Sequence, residues 1–183
     1  MNEVCINSKK IILVTPGIEI LERRLKEENF YEQICINGKY ENIYFSSDWP
    51  GKALVVYPME IERRKKNPDI LPYWTYNIIN RKSKEVVGDI CCKTEPNENN
   101  EIEIGYGINQ TQKRKGYATE AVLSFVSYIF ANTKVTGIKA ECNIDNIPSI
   151  RVLEKCGFEK TGNRFDDEDG NLIIWRKKKF EYS

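Results

Sequence analysis

The chain has 183 residues, 40% hydrophobic and 30% charged, with a formal net charge of +1. This predicts one domain over residues 1–183 with ample apolar surface for a core, and no global field to draw in nucleic acid or anionic membrane as partners. The sequence contains no histidine, which excludes Ser-His-Asp and Cys-His nucleophiles, histidine-based zinc sites and the commonest base at neutral pH.

In chain order, the opening MNEVCINSKK lacks the apolar centre of a secretory signal. KIILV (Lys10 to Val14) is a strand candidate, and Thr15-Pro16 then offers a cap and a first-turn proline for a helix through IEILERRLKEE. Residues 32–52 are rich in aromatics and turn formers and give no clear period. A second helix is predicted over Val56 to Lys66, stopped by Asn67-Pro68, with Pro58 near its start. From Tyr73 the pattern sharpens. WTYNIIN, EVVGDICC and EIEIGYGI are β-rich runs between polar turns, as in an antiparallel meander. In the last run Ile102, Ile104, Tyr106 and Ile108 alternate with Glu101, Glu103, Gly105 and Gly107.

Ala118, Ala121, Val122, Phe125, Val126, Ile129 and Phe130 then fall on one face of a long helix. GIKAECNI is the next strand, and NIPSIRVLEKCGF a short helix with Asn146 as cap, Pro148 in its first turn and Gly157 as its stop. FDDEDGNLIIW closes the chain as a hairpin with an acidic tip. Helix-linked strands tend to be parallel neighbours, so EIEIGYGI and GIKAECNI should lie side by side. The fold class expected is α/β (α+β): a mixed, mostly antiparallel central sheet with helices on both faces.

No apolar run approaches the ~18 residues of a spanning helix. Six cysteines without CxxC spacing read as reduced thiols, and the location expected is the cytoplasm.

Between the third meander strand and the long helix lies QTQKRKGYATEAV, with Lys113, Arg114 and Lys115 ahead of Gly116. Unpaired N–H groups and the positive end of the helix dipole make such a start an anion site. Gly116 lets the backbone approach the ligand and Ala118 keeps the next position small. GxxxxGK[ST] is absent, and Gln110 stands where a dinucleotide fingerprint needs its third glycine.

Lys113-Arg-Lys-Gly116-Tyr-Ala118 resembles the Arg/Gln-x-x-Gly-x-Gly/Ala pyrophosphate loop of the GNAT superfamily of N-acetyltransferases, departing at Lys113. With EIGYGI, GYATEA and NIPSIRVLEKCGF in order, the chain resembles the ribosomal-protein-alanine N-acetyltransferase branch, most clearly over residues 73–179. The resemblance implies a GNAT-like acyl-CoA N-acyltransferase fold with acetyl-CoA as cosubstrate and no metal. It further implies direct attack by a primary amine, on a peptide N-terminus or a small molecule, with a homodimer as one possible state. Cofactor contacts would come from Tyr106, Gly107, Ile108, Lys113, Arg114, Lys115, Gly116, Tyr117, Ala118, Thr119, Asn143, Asn146 and Ser149, with Gly105 and Gly107 easing a bulge beside the thioester. Glu103 is the candidate base, directly or through water, with Glu101 as the alternative. Leu153 stands where the family's usual tyrosine acid belongs, and Ser149 is the implied substitute. Each also has a purely structural reading: a solvent-facing glutamate, helix-capping Ser149 and Asn146, core thiols at Cys142 and Cys156. The competing functions are a non-catalytic acyl-CoA sensor and, more weakly, a nucleic-acid-binding domain. The acceptor site should involve Trp49, Tyr73 and Trp74, with the acidic tip Asp166 to Asp169 as a further attractor of cations.

Overall fold

The structure, a computed structural model, describes residues 4–67 and 75–179. Its strands are β1 (Cys5–Asn7), β2 (Ile11–Val14), β3 (Phe30–Ile36), β4 (Lys39–Phe45), β5 (Tyr76–Asn80), β6 (Glu85–Cys92), β7 (Glu101–Ile108), β8 (Gly137–Asn143), β9 (Glu159–Asp166) and β10 (Gly170–Lys178). Its helices are α1 (Ile18–Arg24), α2 (Tyr57–Lys66), α3 (Tyr117–Asn132) and α4 (Ile147–Lys155). The strands form a mixed sheet in the order β1-β2-β5-β6-β7-β8-β10-β9, with β3 and β4 attached through a single parallel bridge from Tyr44 to Glu85. β5, β6 and β7 are the expected antiparallel meander, and β7 and β8 are the expected parallel neighbours.

Period-two patterning places one apolar set on each side of the sheet. Ile78, Ile90, Ile102, Ile104, Ile138 and Ala140 face α3 and α4, where Phe125, Val122, Ile129 and Leu153 close the larger core. Ile79, Val86, Ile43 and Phe45 face α1 and α2 in a second core, with Ile20, Leu21, Trp49, Tyr57 and Ile61. Helices therefore cover both faces, as the sequence predicts.

The N-terminal third departs from the sequence reading. Thr15 does not cap α1. Its hydroxyl accepts from the Val4 N–H at 3.3 Å, tying the chain to β1, and Gly17 holds the cap position without a side-chain bond. The helix also stops at Arg24, well short of the predicted IEILERRLKEE. The Arg24 guanidinium, 7% exposed, collects the carbonyls of Glu27, Glu28 and Ser47 and so stabilises a turn where helix was predicted. The unread segment is a β3–β4 hairpin turned by Asn37-Gly38, both at positive φ (52° and 79°), as a tight hairpin turn requires. α2 follows the prediction, with Pro58 in its first turn.

Candidate active site

β7 and β8 pair only from Glu101↔Gly137 to Ile104↔Ala140. Beyond that point both continue, β7 held by β6 as far as Ile108↔Gly88 and β8 by β10 as far as Asn143↔Leu172. The two strands therefore diverge in the middle of the sheet. The Glu103 carbonyl accepts from Lys93 and the Asn109 N–H donates to Val87, both towards β6. Backbone groups alternate sides along a strand, so the N–H groups of Tyr106 and Ile108 are turned towards the opening. The β6–β7 register is regular, and Gly105 and Gly107 make no bulge. The irregularity in this region lies instead in the β5–β6 pair, where Val87 of β6 is the extra residue opposite Ile78 and Ile79.

The opening leads into the basic loop. Gly116 is the residue preceding α3, at φ +85°, a left-handed conformation that other residues reach only at a cost. The helical bonds begin with Glu120 N–H to Gly116 O, which leaves the N–H groups of Tyr117, Ala118 and Thr119 outside the helical ladder. Lys113, Arg114 and Lys115 are exposed, and Lys115 folds back onto Gln112 at 2.6 Å. A cation that the sequence reading missed joins them. Lys10, at the start of β2, donates from Nζ to the Lys115 carbonyl at 3.3 Å and lies 3.9 Å from where a Gly116 Cβ would stand. No local pattern announces this, because Lys10 is far from the loop in sequence.

On the α4 side, the Tyr106 hydroxyl and Ser149 Oγ are 2.9 Å apart and bridge the diverging strand to the helix. Burial raises the Tyr106 phenol above its ordinary range, partly offset by the Ser149 bond, so it stays a proton donor at neutral pH. Asn146 caps α4 by accepting from the Ser149 N–H at 3.2 Å, which gives it the capping role. The Asn143 side chain donates to the Asp169 carbonyl and accepts from the Asp145 N–H, shaping the exit of β8. Leu153 is fully buried in the core. Cys142 and Cys156 are core thiols, and burial pushes Cys156 up to about 11.

Glu103 sits where the strands still pair, its oxygens 3.0 Å from Lys93 and 3.4 Å from Lys139. Lys139 also reaches Glu141, which Arg164 binds in turn, extending the ionic row to Asp166. Hydrogen bonding from Arg164, with help from Lys139, holds Glu141 down to about 2. Glu101 pairs with Arg176 at 2.8 Å. Tyr73 and Trp74 lie outside the described residues.

Asp89, which the sequence reading passed over, is the acid beside the opening. It opposes Gly107 in the β6–β7 ladder and is 8% exposed, with no hydrogen-bond partner for Oδ2 among the described residues. Burial pushes its carboxyl up to about 7. A pKa raised from an unfolded value of ~4 means that the native state binds the proton more tightly, so stability falls as pH rises from about 4 to about 7. Urea unfolding at pH 5 and pH 8 should show wild type losing about 2.5 kcal/mol more than Asp89→Asn over that interval. Equal losses in the two proteins would contradict the burial of this charge.

Among the described residues no group of three or more His, Cys, Asp or Glu side chains could hold a metal ion, and no helix is long and apolar enough to cross a membrane. A diverging parallel pair, an open helix start at its mouth and a hydroxyl bridge across it define a site for an extended ligand with an anionic end. Comparison with known proteins gives the family. The family model described as an acetyltransferase (GNAT) domain matches residues 46–159, and the chain belongs to the GNAT acetyltransferases, whose general reaction carries acetyl from acetyl-CoA to an amine. Among its relatives is an uncharacterised N-acetyltransferase of Bacillus subtilis, YjdG, 29% identical over 85% of this chain and 89% of that protein. Similar solved structures include a putative ribosomal-protein-serine acetyltransferase from Vibrio cholerae, with TM-score 0.66, 18% identity and coverage of 96% of this chain and 98% of that one. Another is the microcin C7 self-immunity acetyltransferase MccE in complex with acetyl-CoA and AMP, with TM-score 0.64, 15% identity and 93% coverage of both chains.

Proposed function

We propose that the protein transfers acetyl from acetyl-CoA to a primary amine by direct attack within the β7–β8 opening. The observation that carries this reading is the end of β7–β8 pairing at Ile104↔Ala140, immediately before the loop that starts α3. The pyrophosphate docks on the N–H groups of Tyr117, Ala118 and Thr119 across Gly116, with Lys113, Arg114, Lys115 and Lys10 supplying charge. The pantetheine arm enters the opening past Gly107, bonds the Tyr106 and Ile108 N–H groups, and passes Asn143 and Asn146. The solved MccE complex with acetyl-CoA, on the same fold, supports this choice of cosubstrate.

The attacking amine must be neutral, although a free alkylammonium has a pKa near ~10. Nitrogen then forms its bond to the thioester carbon, the C–S bond breaks, and the thiolate takes up a proton. The Tyr106–Ser149 pair, 2.9 Å apart and on the helix α4 side, supplies that proton in place of the tyrosine missing at Leu153. Glu103 remains the base implied by the family resemblance, but its two ammonium partners favour a role in the ionic row.

Thiol release from acetyl-CoA tests the reading, with an acceptor panel of a free peptide N-terminus, a polyamine, an aminoglycoside and amino acids. Release with at least one amine is expected. CoA binding without release across the panel would favour the non-catalytic sensor. In the same assay Glu103→Gln should keep turnover within about threefold, since exposed ion pairs contribute only ~1 kcal/mol or less. A hundredfold loss at unchanged CoA affinity would restore Glu103 to the proton path.

A further inference from the structure

Consecutive residues on β7 point to opposite faces of the sheet. Tyr106 faces α4 and meets Ser149, so Gly107 faces α2, where its cross-strand partner is Asp89. Gly107 is exposed and has no side chain. A Cβ there would stand 3.5 Å from Asp89 Oδ1, so the glycine puts no side chain between that carboxyl and the opening.

Asp89 is not alone. Its neighbour across β5–β6 is Asn77, 1% exposed, and both side chains lie on the α2 face. Tyr57 of α2, also 1% exposed, is near enough for the Asp89 charge to raise its phenol. Trp49 packs edge-on against Tyr57 at 5.7 Å. Asp89 Oδ2, Asn77 Oδ1, the Tyr57 hydroxyl and the Trp49 indole nitrogen are all buried without hydrogen-bond partners among the described residues. Buried polar atoms are satisfied in the great majority of cases, so four unsatisfied ones on neighbouring residues point to a polar partner that would complete them. A carboxylate, an amide oxygen and a phenol oxygen together offer three acceptors, and a primary ammonium offers three donors.

We propose that Asp89, Asn77 and Tyr57 form the receptor for the acceptor's primary ammonium, and that Asp89 takes its proton. This deepens the acetyl-transfer reading and rests on it for the reaction. In the step, R–NH3⁺ gives one proton to the Asp89 carboxylate and becomes R–NH2. The nitrogen lone pair attacks the thioester carbon from the α2 face, and sulfur departs towards the Tyr106–Ser149 pair on the α4 face. The second proton lost by nitrogen balances the one the thiolate gains, and Asp89 returns its own to solvent. Acid and base thus occupy opposite faces of one strand.

The charges around Asp89 suit this exchange. Arg64 of α2 is paired with Glu60 at 2.9 Å, Lys93 is paired with Glu103, and Arg24 of α1 is engaged by backbone carbonyls. Burial raises Tyr57 well above its ordinary value and Cys91 to about 12, so both stay neutral. Asp89 is left as the group in this row that titrates near neutrality.

The test uses the full chain saturated with CoA and n-butylammonium as probe, with binding followed by NMR shift changes at pH 6 and pH 8. Wild type should bind the probe about tenfold more tightly at pH 8 than at pH 6. Asp89→Asn should lose at least tenfold in affinity at pH 8 and show no pH dependence, and n-butyltrimethylammonium, without N–H groups, should bind neither protein. Tyr57→Phe should weaken the probe severalfold with the pH dependence intact. CoA affinity, measured by calorimetry on the same samples, should be unchanged in both variants. Equal probe affinity in wild type and Asp89→Asn would overturn the receptor. A wild type that fails to bind CoA would instead overturn the acetyl-transfer reading, while probe binding would still decide the receptor.

Discussion

Gly116→Glu should lower CoA affinity at least a hundredfold and leave the fold intact. At φ +85° any other residue carries a left-handed strain of about 1 kcal/mol, which a domain of this size tolerates. The Cβ itself meets only Lys10 Nζ, at 3.9 Å, so folding does not demand glycine on steric grounds. The new carboxylate would occupy the N–H groups of Tyr117, Ala118 and Thr119 and attract Lys10, competing with the pyrophosphate for the same donors. Gly116→Ala separates the effects, because it carries the strain without the charge and should lose far less affinity at similar stability. Calorimetry with CoA and a thermal melt check both. Affinity within threefold of wild type in Gly116→Glu would remove the diphosphate from this helix start.

The second large effect concerns the hydroxyl pair across the opening. Tyr106→Phe and Ser149→Ala should each lower turnover by about one to two orders of magnitude, towards the lower end of what a positioned acid contributes. The double variant should be little worse than the poorer single one, because the two hydroxyls act as one relay and their losses do not add. CoA affinity should hold. An acetyl donor with a more acidic thiol needs less help at sulfur and should narrow the deficit, which loss of packing at Tyr106 would not allow. Because burial holds the phenol above its usual range, wild-type turnover should show no alkaline fall through pH 9 from this residue. Additive losses with no benefit from the acidic thiol would leave the pair a structural strut.

Much of the fold was legible because its signals are local. The alternation in EIEIGYGI, the stripe from Ala118 to Phe130 and the cap at Asn146 each lie within one element, and the structure reproduces all three. The β3–β4 hairpin was not read from the sequence, although Asn37-Gly38 is a local turn signal, because its aromatic flanks gave no clear period. Thr15-Pro16 misled for the opposite reason. A locally sound helix start lost to a long-range bond with Val4, and Arg24 ended the helix by gathering carbonyls from two loops.

By itself the sequence determined the class of fold, the basic loop and its glycine, because apolar period and turn chemistry are properties of neighbouring residues. Tertiary structure alone decided the composition of the site. It brought Lys10 to a loop 105 residues away and joined Tyr106 to Ser149 across 43. It committed Glu103 to two lysines and buried Asp89 Oδ2 without a hydrogen-bond partner among the described residues. Those outcomes depend on strand register and on which helix covers which face. Both are settled by packing the whole sheet, and no stretch of chain encodes them alone.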